Sequence, residues 1–187
     1  MEEMIDILDE NGNDLRESRG RKEVHEKGYW HRVVQIFIIN GDKILLQQRS
    51  LNKKADSGKW CASASGHISS GEKSLEAAYK EFSEELGIEI EKDKFKLVDS
   101  FKSPSIRENK DGIIYNNHFV DLYFSSQTID IEEVSKKIQK EEVEQIKFYK
   151  ISEFIDMVNK KDDRLIDASI LFEHVIKNLV QFTDIKK

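Results

Sequence analysis

Apolar and polar residues follow two rhythms along this chain, and the switches between them mark its elements. Ile5 and Ile7 stand two apart and Asn11-Gly12 follows, which predicts a strand, a tight turn and a return strand. The charged stretch from Gly20 to Tyr29 shows neither rhythm and reads as a connection. Val33 to Ile39 is β-branched and apolar, Asn40-Gly41-Asp42 turns, and Lys43 to Arg49 returns, so a central hairpin is expected. Residues 50–60 are polar, contain Gly58 and lack a period, as a surface loop does. Trp60 to Gly66 reads as a short strand or turn.

From Glu72 to Leu86 the period becomes helical. At 100° per residue, Leu75, Ala78, Tyr79, Phe82 and Leu86 fall in one apolar stripe about 100° wide, and Gly87 supplies the stop. Phe95 to Phe101, Ile113 to Phe124 and Val143 to Tyr149 read as strands, and Ile131 to Lys140 as a short charged helix. Ser152 to Asn159 and Leu165 to Val180 read as helices, the second carrying Leu165, Ala168, Phe172, Val175, Ile176 and Leu179 on one side. This mixture predicts an α/β fold of sheet layers covered by helices. One domain is expected over 1–187, with an N-terminal hairpin extension at 1–28 and C-terminal helices at 151–187.

Composition narrows the classes. A chain of 187 residues with 38% apolar and 35% charged side chains can bury a core, and one proline excludes Pro-rich linker architectures. The longest apolar stretch, near Val33 to Ile39, is far short of the ~20 residues of a spanning helix. No membrane is expected as a partner. The acidic start and the single cysteine, Cys61, fit a cytoplasmic, reducing location. A net charge of −6 argues against a nucleic acid polymer as partner. An acidic protein that handles phosphate needs local positive charge or a metal.

The helix at 72–86 carries too many carboxylates for its own good. Glu81, Glu84 and Glu85 share an arc of about 100° beside the apolar stripe. Like charges at this spacing repel by roughly 0.2–0.5 kcal/mol each, whereas a hard divalent cation would hold them together. The wider pattern runs from Gly66 over five residues to Glu72, over seven to Lys80, then through Glu81-Phe-Ser-Glu84-Glu85-Leu-Gly87-Ile88. It resembles the Nudix box of Nudix hydrolases, with Lys80 where that box has arginine. The resemblance implies a Nudix-fold α/β/α sandwich with a mixed sheet, and hydrolysis of a diphosphate, here of a nucleoside diphosphate derivative or similar compound. It implies Mg²⁺ or Mn²⁺ at Glu81, Glu84, Glu85 and Gly66. Glu81, Glu84, Lys80 and Glu142, the last an acid beyond the box, are the implied catalytic set. Lys80 either orients Glu81 or pairs with Glu76.

Outside the box, residues 1–150 resemble isopentenyl diphosphate isomerase and its Nudix relatives. Gln48-Arg49-Ser-Leu-Asn-Lys53-Lys54-Ala-Asp-Ser-Gly58-Lys59-Trp60 follows their diphosphate-holding loop, which makes Arg49, Lys53 and His67 candidate substrate-binding residues. His25, His31 and His67 echo the isomerases' metal-binding histidines. Three residues that the isomerase needs are replaced, however. Ser65 stands where its cysteine precedes Gly-His, and Asn116 and His118 stand where it has carboxylates. The sequence therefore favours hydrolysis over isomerisation, and gives the three histidines structural or hydrogen-bonding roles. Trp30, Trp60, Phe101, Tyr115 and Phe119 are expected mainly in packing, with stacking on a base as their alternative. Selectivity is expected in loops at 50–60 and 102–118, and two copies could pair as a homodimer through the N-terminal hairpin and the apolar C-terminal helix.

Overall fold

The computed structural model describes residues 2–89, 91–109 and 112–182. The chain opens with the expected hairpin, β1 (Met4–Leu8) and β2 (Asp14–Gly20). The stretch read as a connection is instead a helix, α1 (Arg21–Lys27), closed by Gly28 in the left-handed conformation. Its sequence hides it because only Val24 is buried, so no apolar stripe develops over its two turns.

The central hairpin forms from β3 (His31–Asn40) and β4 (Lys43–Arg49), yet its strands pair only beside the turn, at Ile39 with Ile44 and Asn40 with Lys43. Beyond it they separate. β4 runs on between β5 (Trp60–Cys61) and β9 (Val143–Lys150). β3 runs on between β6 (Ala64–His67), antiparallel, and β8 (Gly112–Ser125), parallel, with β7 (Phe95–Asn109) antiparallel outside β8. The sheet is therefore mixed. β8 matches the strand read at Ile113 to Phe124, and residues 102–109, which the loop expected at 102–118 also took in, are the outer part of the long β7–β8 hairpin.

Alternation along β3 assigns its two faces. Val34, Ile36 and Ile38 meet Ala77, Ala78, Phe82 and Leu86 of α2 (Ser74–Leu86), with Val134 of α3 (Ile131–Ser135). Val33, Phe37 and Ile39 meet Phe154 of α4 (Ile151–Asn159) and Phe172 and Val175 of α5 (Ser169–Phe182). Helices on both faces complete the α/β/α sandwich. Two helices are shorter than their patterns suggest. Residues 136–140 follow α3 as turns. Residues 165–168 precede α5 because Ile166 N–H donates to Trp60 O at 3.0 Å and Trp60 N–H to Arg164 O at 2.7 Å, which draws the segment along β5. The final residues 183–187 of the expected C-terminal helices lie outside the described residues. Among the described residues no helix is long and apolar enough to cross a membrane.

Candidate active site and metal centre

Where β3 and β4 part, a cleft of about 990 Å³ opens on the α4–α5 face. β4 brings Arg49 and the following loop Lys53, β6 brings Gly66 and His67, α2 brings Glu85, and the turn before β9 brings Glu142. Six of the residues singled out in the sequence thus share one cavity. Glu81, Glu84 and Lys80 do not line it.

Glu81 stands directly behind the β6 backbone. A Cβ on Gly66 would lie 2.0 Å from its carboxyl carbon, so only glycine lets the helix bring this carboxylate so close. Burial, against the smaller opposing charge of Lys80, raises the Glu81 pKa to about 7. Glu85, one turn on, is buried. Its Oε2 accepts from Gln47 Nε2 at 2.9 Å and from the Ser65 backbone N–H at 3.2 Å. Burial and then the charge of Glu81 push its pKa up to about 8. Glu84 is exposed. The turn leading into α2 is tied to the N-terminal hairpin: Asp6 accepts from Ser70 Oγ at 2.5 Å and from Gly71 N–H at 2.9 Å.

Positive charge is present, but already engaged. Among the described residues, Lys53 pairs with Glu142, Arg21 with Glu3 and Arg107 with Asp56, and none of these cations engages Glu81, Glu84 or Glu85. Arg49 donates from Nε to Ala55 O at 3.3 Å. The Arg107–Asp56 pair joins the β7–β8 hairpin to the loop after β4 across the cavity wall. None of the five aromatic residues considered for base stacking lines the cleft. Trp60 is in the core, and Trp30 leans on Phe119, their ring centroids 5.2 Å apart.

Three histidines of the cleft, His25, His67 and His118, meet a fourth, His31, just behind its wall. Strand register sets His31 opposite His118 and Val33 opposite His67, so three imidazoles share one face of β8, β3 and β6. His25 joins them from α1, and one nitrogen of each of the four lies within 4.8 Å of the others. His25 Nδ1 faces Tyr115 O at 3.1 Å and His31 Nδ1 faces Tyr29 O at 2.9 Å. A carbonyl only accepts, so both Nδ1 atoms carry hydrogen and both Nε2 atoms present lone pairs. Among the described residues, His31 Nε2 and His118 Nε2 are buried without a partner. Burial lowers all four pKa values, that of His31 to about 4, which leaves the rings neutral. His25 Nε2 and His67 Nε2 face each other at 3.0 Å, and the four neutral imidazoles together could hold a metal ion. His118 was legible only as a departure from the isomerase pattern.

A mixed sheet between helices, with an acidic helix packed under a glycine-bearing strand at the cleft, defines the class as Nudix-fold. The chain belongs to the Nudix family, whose NUDIX domain model matches residues 29–170. It is 34% identical over 175 residues to Nudix hydrolase 3 of Arabidopsis thaliana, covering 92% of this chain but 22% of the plant protein, about a fifth of its length. It is 32% identical over 139 residues to Isopentenyl-diphosphate Delta-isomerase 2 of Photorhabdus laumondii, covering 72% of this chain and 75% of that one. DR0079 of Deinococcus radiodurans, known from its crystal structure, shares the fold with a TM-score of 0.67 at 20% identity, over 90% of this chain and 96% of that one.

Proposed function

We propose that this protein is a Mg²⁺- or Mn²⁺-dependent hydrolase that cuts the phosphoanhydride bond of a small-molecule diphosphate, with nucleoside diphosphate derivatives the first class to test. One observation carries the reading: Glu81 behind Gly66 and Glu85 one turn on are packed together with no ion-pair partner among the described residues, their pKa values raised first by burial and, at Glu85, by the charge of Glu81. An unpaired buried carboxylate costs several kcal/mol, and a divalent ion removes that cost. The donor set is oxygen only, as Mg²⁺ requires, and its Gly66 neighbour leaves no side chain in the way. Glu81 and Glu85 would hold the ion, with Glu84 reaching in from the exposed side. The ion, when bound, neutralises diphosphate charge and lowers the pKa of a bound water.

The remaining work falls to side chains of the cleft. Arg49 offers a planar fork to a phosphate oxygen pair. Lys53 leaves Glu142 for the incoming phosphate, and the released Glu142 carboxylate is then placed to accept a proton from the attacking water. Gln47 keeps Glu85 in position through its amide.

Isomerisation is the reading suggested by the Photorhabdus relative. Here the thiol is in the wrong place. Cys61 is buried and its pKa is pushed up to about 12, which makes it a poor proton-transfer group, and Ser65 cannot replace it. The test is a panel of nucleoside diphosphate sugars, dinucleoside polyphosphates, nucleoside triphosphates and isopentenyl diphosphate, assayed with Mg²⁺. Orthophosphate or phosphomonoester release that survives in the Glu81→Gln, Glu85→Gln double variant would refute the reading. Deuterium incorporation from heavy water into isopentenyl diphosphate would establish isomerisation instead.

A further inference from the structure

We infer that Arg107, at the outer end of β7, is a further diphosphate-binding residue of the cleft: it forms a clasp with Arg49, and Asp56 holds it in place until a phosphate group displaces that carboxylate. The inference rests on the reading of the cleft as a diphosphate site and deepens it. Strand register puts Arg107 there. It pairs with Ile114 across the β7–β8 hairpin, and cross-strand partners share a face. Ile114, Asn116 and His118, two apart along β8, all line the cleft, so the same face carries Arg107 into it. Arg49 enters from the end of β4, on the far side of β3 and β8 in the sheet order.

Charge then sets the task. The two guanidiniums are near enough that Arg49 adds to burial in lowering the Arg107 pKa. A cleft lined by like charges concentrates the opposite ion. Asp167 is also felt at Arg107 through its charge, but Asp56 is the carboxylate paired with it, both side chains being mostly covered. Arg49 has no ion-pair partner among the described residues, and its Nε donates to the Ala55 carbonyl. One carboxylate thus half meets the need of two guanidiniums. A diphosphate carries more charge and has oxygens pointing in several directions, so it can accept from both planar forks at once. Lys53 and Glu142 repeat the arrangement, a cation of the cleft kept in place by a carboxylate that phosphate can replace.

The test reads binding instead of turnover: the full chain is titrated by calorimetry with methylenediphosphonate, a diphosphate mimic that resists hydrolysis, in Mg²⁺. Arg107→Gln should raise Kd about tenfold or more, the worth of a charge-assisted hydrogen bond. Asp56→Asn should act in the opposite sense and lower Kd about threefold, because a part-exposed ion pair no longer has to be broken. In the Arg107→Gln background, Asp56→Asn should leave Kd nearly unchanged. Thermal melts check that each variant folds, and if Arg107→Gln does not, the sign of the Asp56→Asn effect still decides. A tie that merely braces the cleft would make Asp56→Asn bind more weakly, and that result overturns the inference. So does an unchanged Kd in Arg107→Gln, or a gain from Asp56→Asn that persists without Arg107. A parent chain that does not bind the mimic refutes both this inference and the diphosphate reading of the cleft. Absence of hydrolysis with the expected pattern of Kd values refutes the hydrolase proposal alone.

Discussion

Replacing Glu85 by glutamine should make the metal-free protein more stable while removing its activity. The carboxyl is held at about 8 instead of 4.5, so folding prefers its neutral form. The sign follows from linkage: below pH 4.5 the group is protonated in both states and costs nothing, while between pH 4.5 and 8 the unfolded chain gives up the proton that the folded state keeps, so the cost grows across that window and levels off above it. At about 1.4 kcal/mol per pH unit, the ceiling on this cost is about 5 kcal/mol above pH 8. Glutamine keeps an oxygen for Gln47 Nε2 and the Ser65 N–H, and its own amide hydrogens can meet the unpartnered Gln47 Oε1. For a chain of this size each kcal/mol moves the melting temperature by about 2–4 °C. In chelator, Glu85→Gln should therefore melt level with the parent near pH 4.5 and several degrees above it at pH 8. Added Mg²⁺ should raise the parent's melting temperature at pH 8 and leave that of the variant nearly unchanged. Thermal melts across this pH range decide the matter. A difference between the two proteins that does not grow with pH, or a variant less stable at pH 8, would refute the reasoning.

Gly66→Ala should keep the fold and displace Glu81, since the new methyl would overlap its carboxyl carbon; a shift of about 1 Å at such a site costs on the order of 10²-fold in kcat. Arg49→Ala should raise KM for a diphosphate substrate by about tenfold or more, and Arg49→Lys should recover only part of it, because a lysine lacks the bidentate fork; equal KM values for the two would count against phosphate binding there. Arg32→Met should destabilise the chain by roughly 3 kcal/mol in chemical denaturation, because it strands the buried Asp121 carboxylate, now held at 2.7 Å, with Ser100 Oγ at 2.8 Å as its remaining partner. Asp121→Asn in that background should restore much of the loss.

Much of this architecture could be read from periodicity, because the elements that bury a full face announce it. α2 is the clearest case, its stripe of Ala78, Phe82 and Leu86 lying in the core as spaced. α1 was missed because one buried residue makes no stripe, and residues 165–168 because a backbone partner on β5 outweighed their helical spacing. At the site, the box gave the residue set but not its depth: helix geometry places Glu81, Glu84 and Glu85 on one arc, yet the packing of β6 decides that two are sunk and one is exposed. The ion pair of Lys53 with Glu142 joins residues read for two separate roles, which no local pattern could reveal. The fourth imidazole is a matter of strand register, since His31 and His118 are far apart in the chain and adjacent only because β3 and β8 run parallel.

The tie between Asp6 and the Ser70–Gly71 turn, together with His25 on α1, means that the stretch recognisable by family, 29–170, is smaller than the stretch that works. An expression clone trimmed to those boundaries would discard an imidazole and the clasp on the box loop while retaining Glu81, Glu84, Glu85 and Glu142. It would pass for a complete catalytic module on paper and behave as a crippled one at the bench.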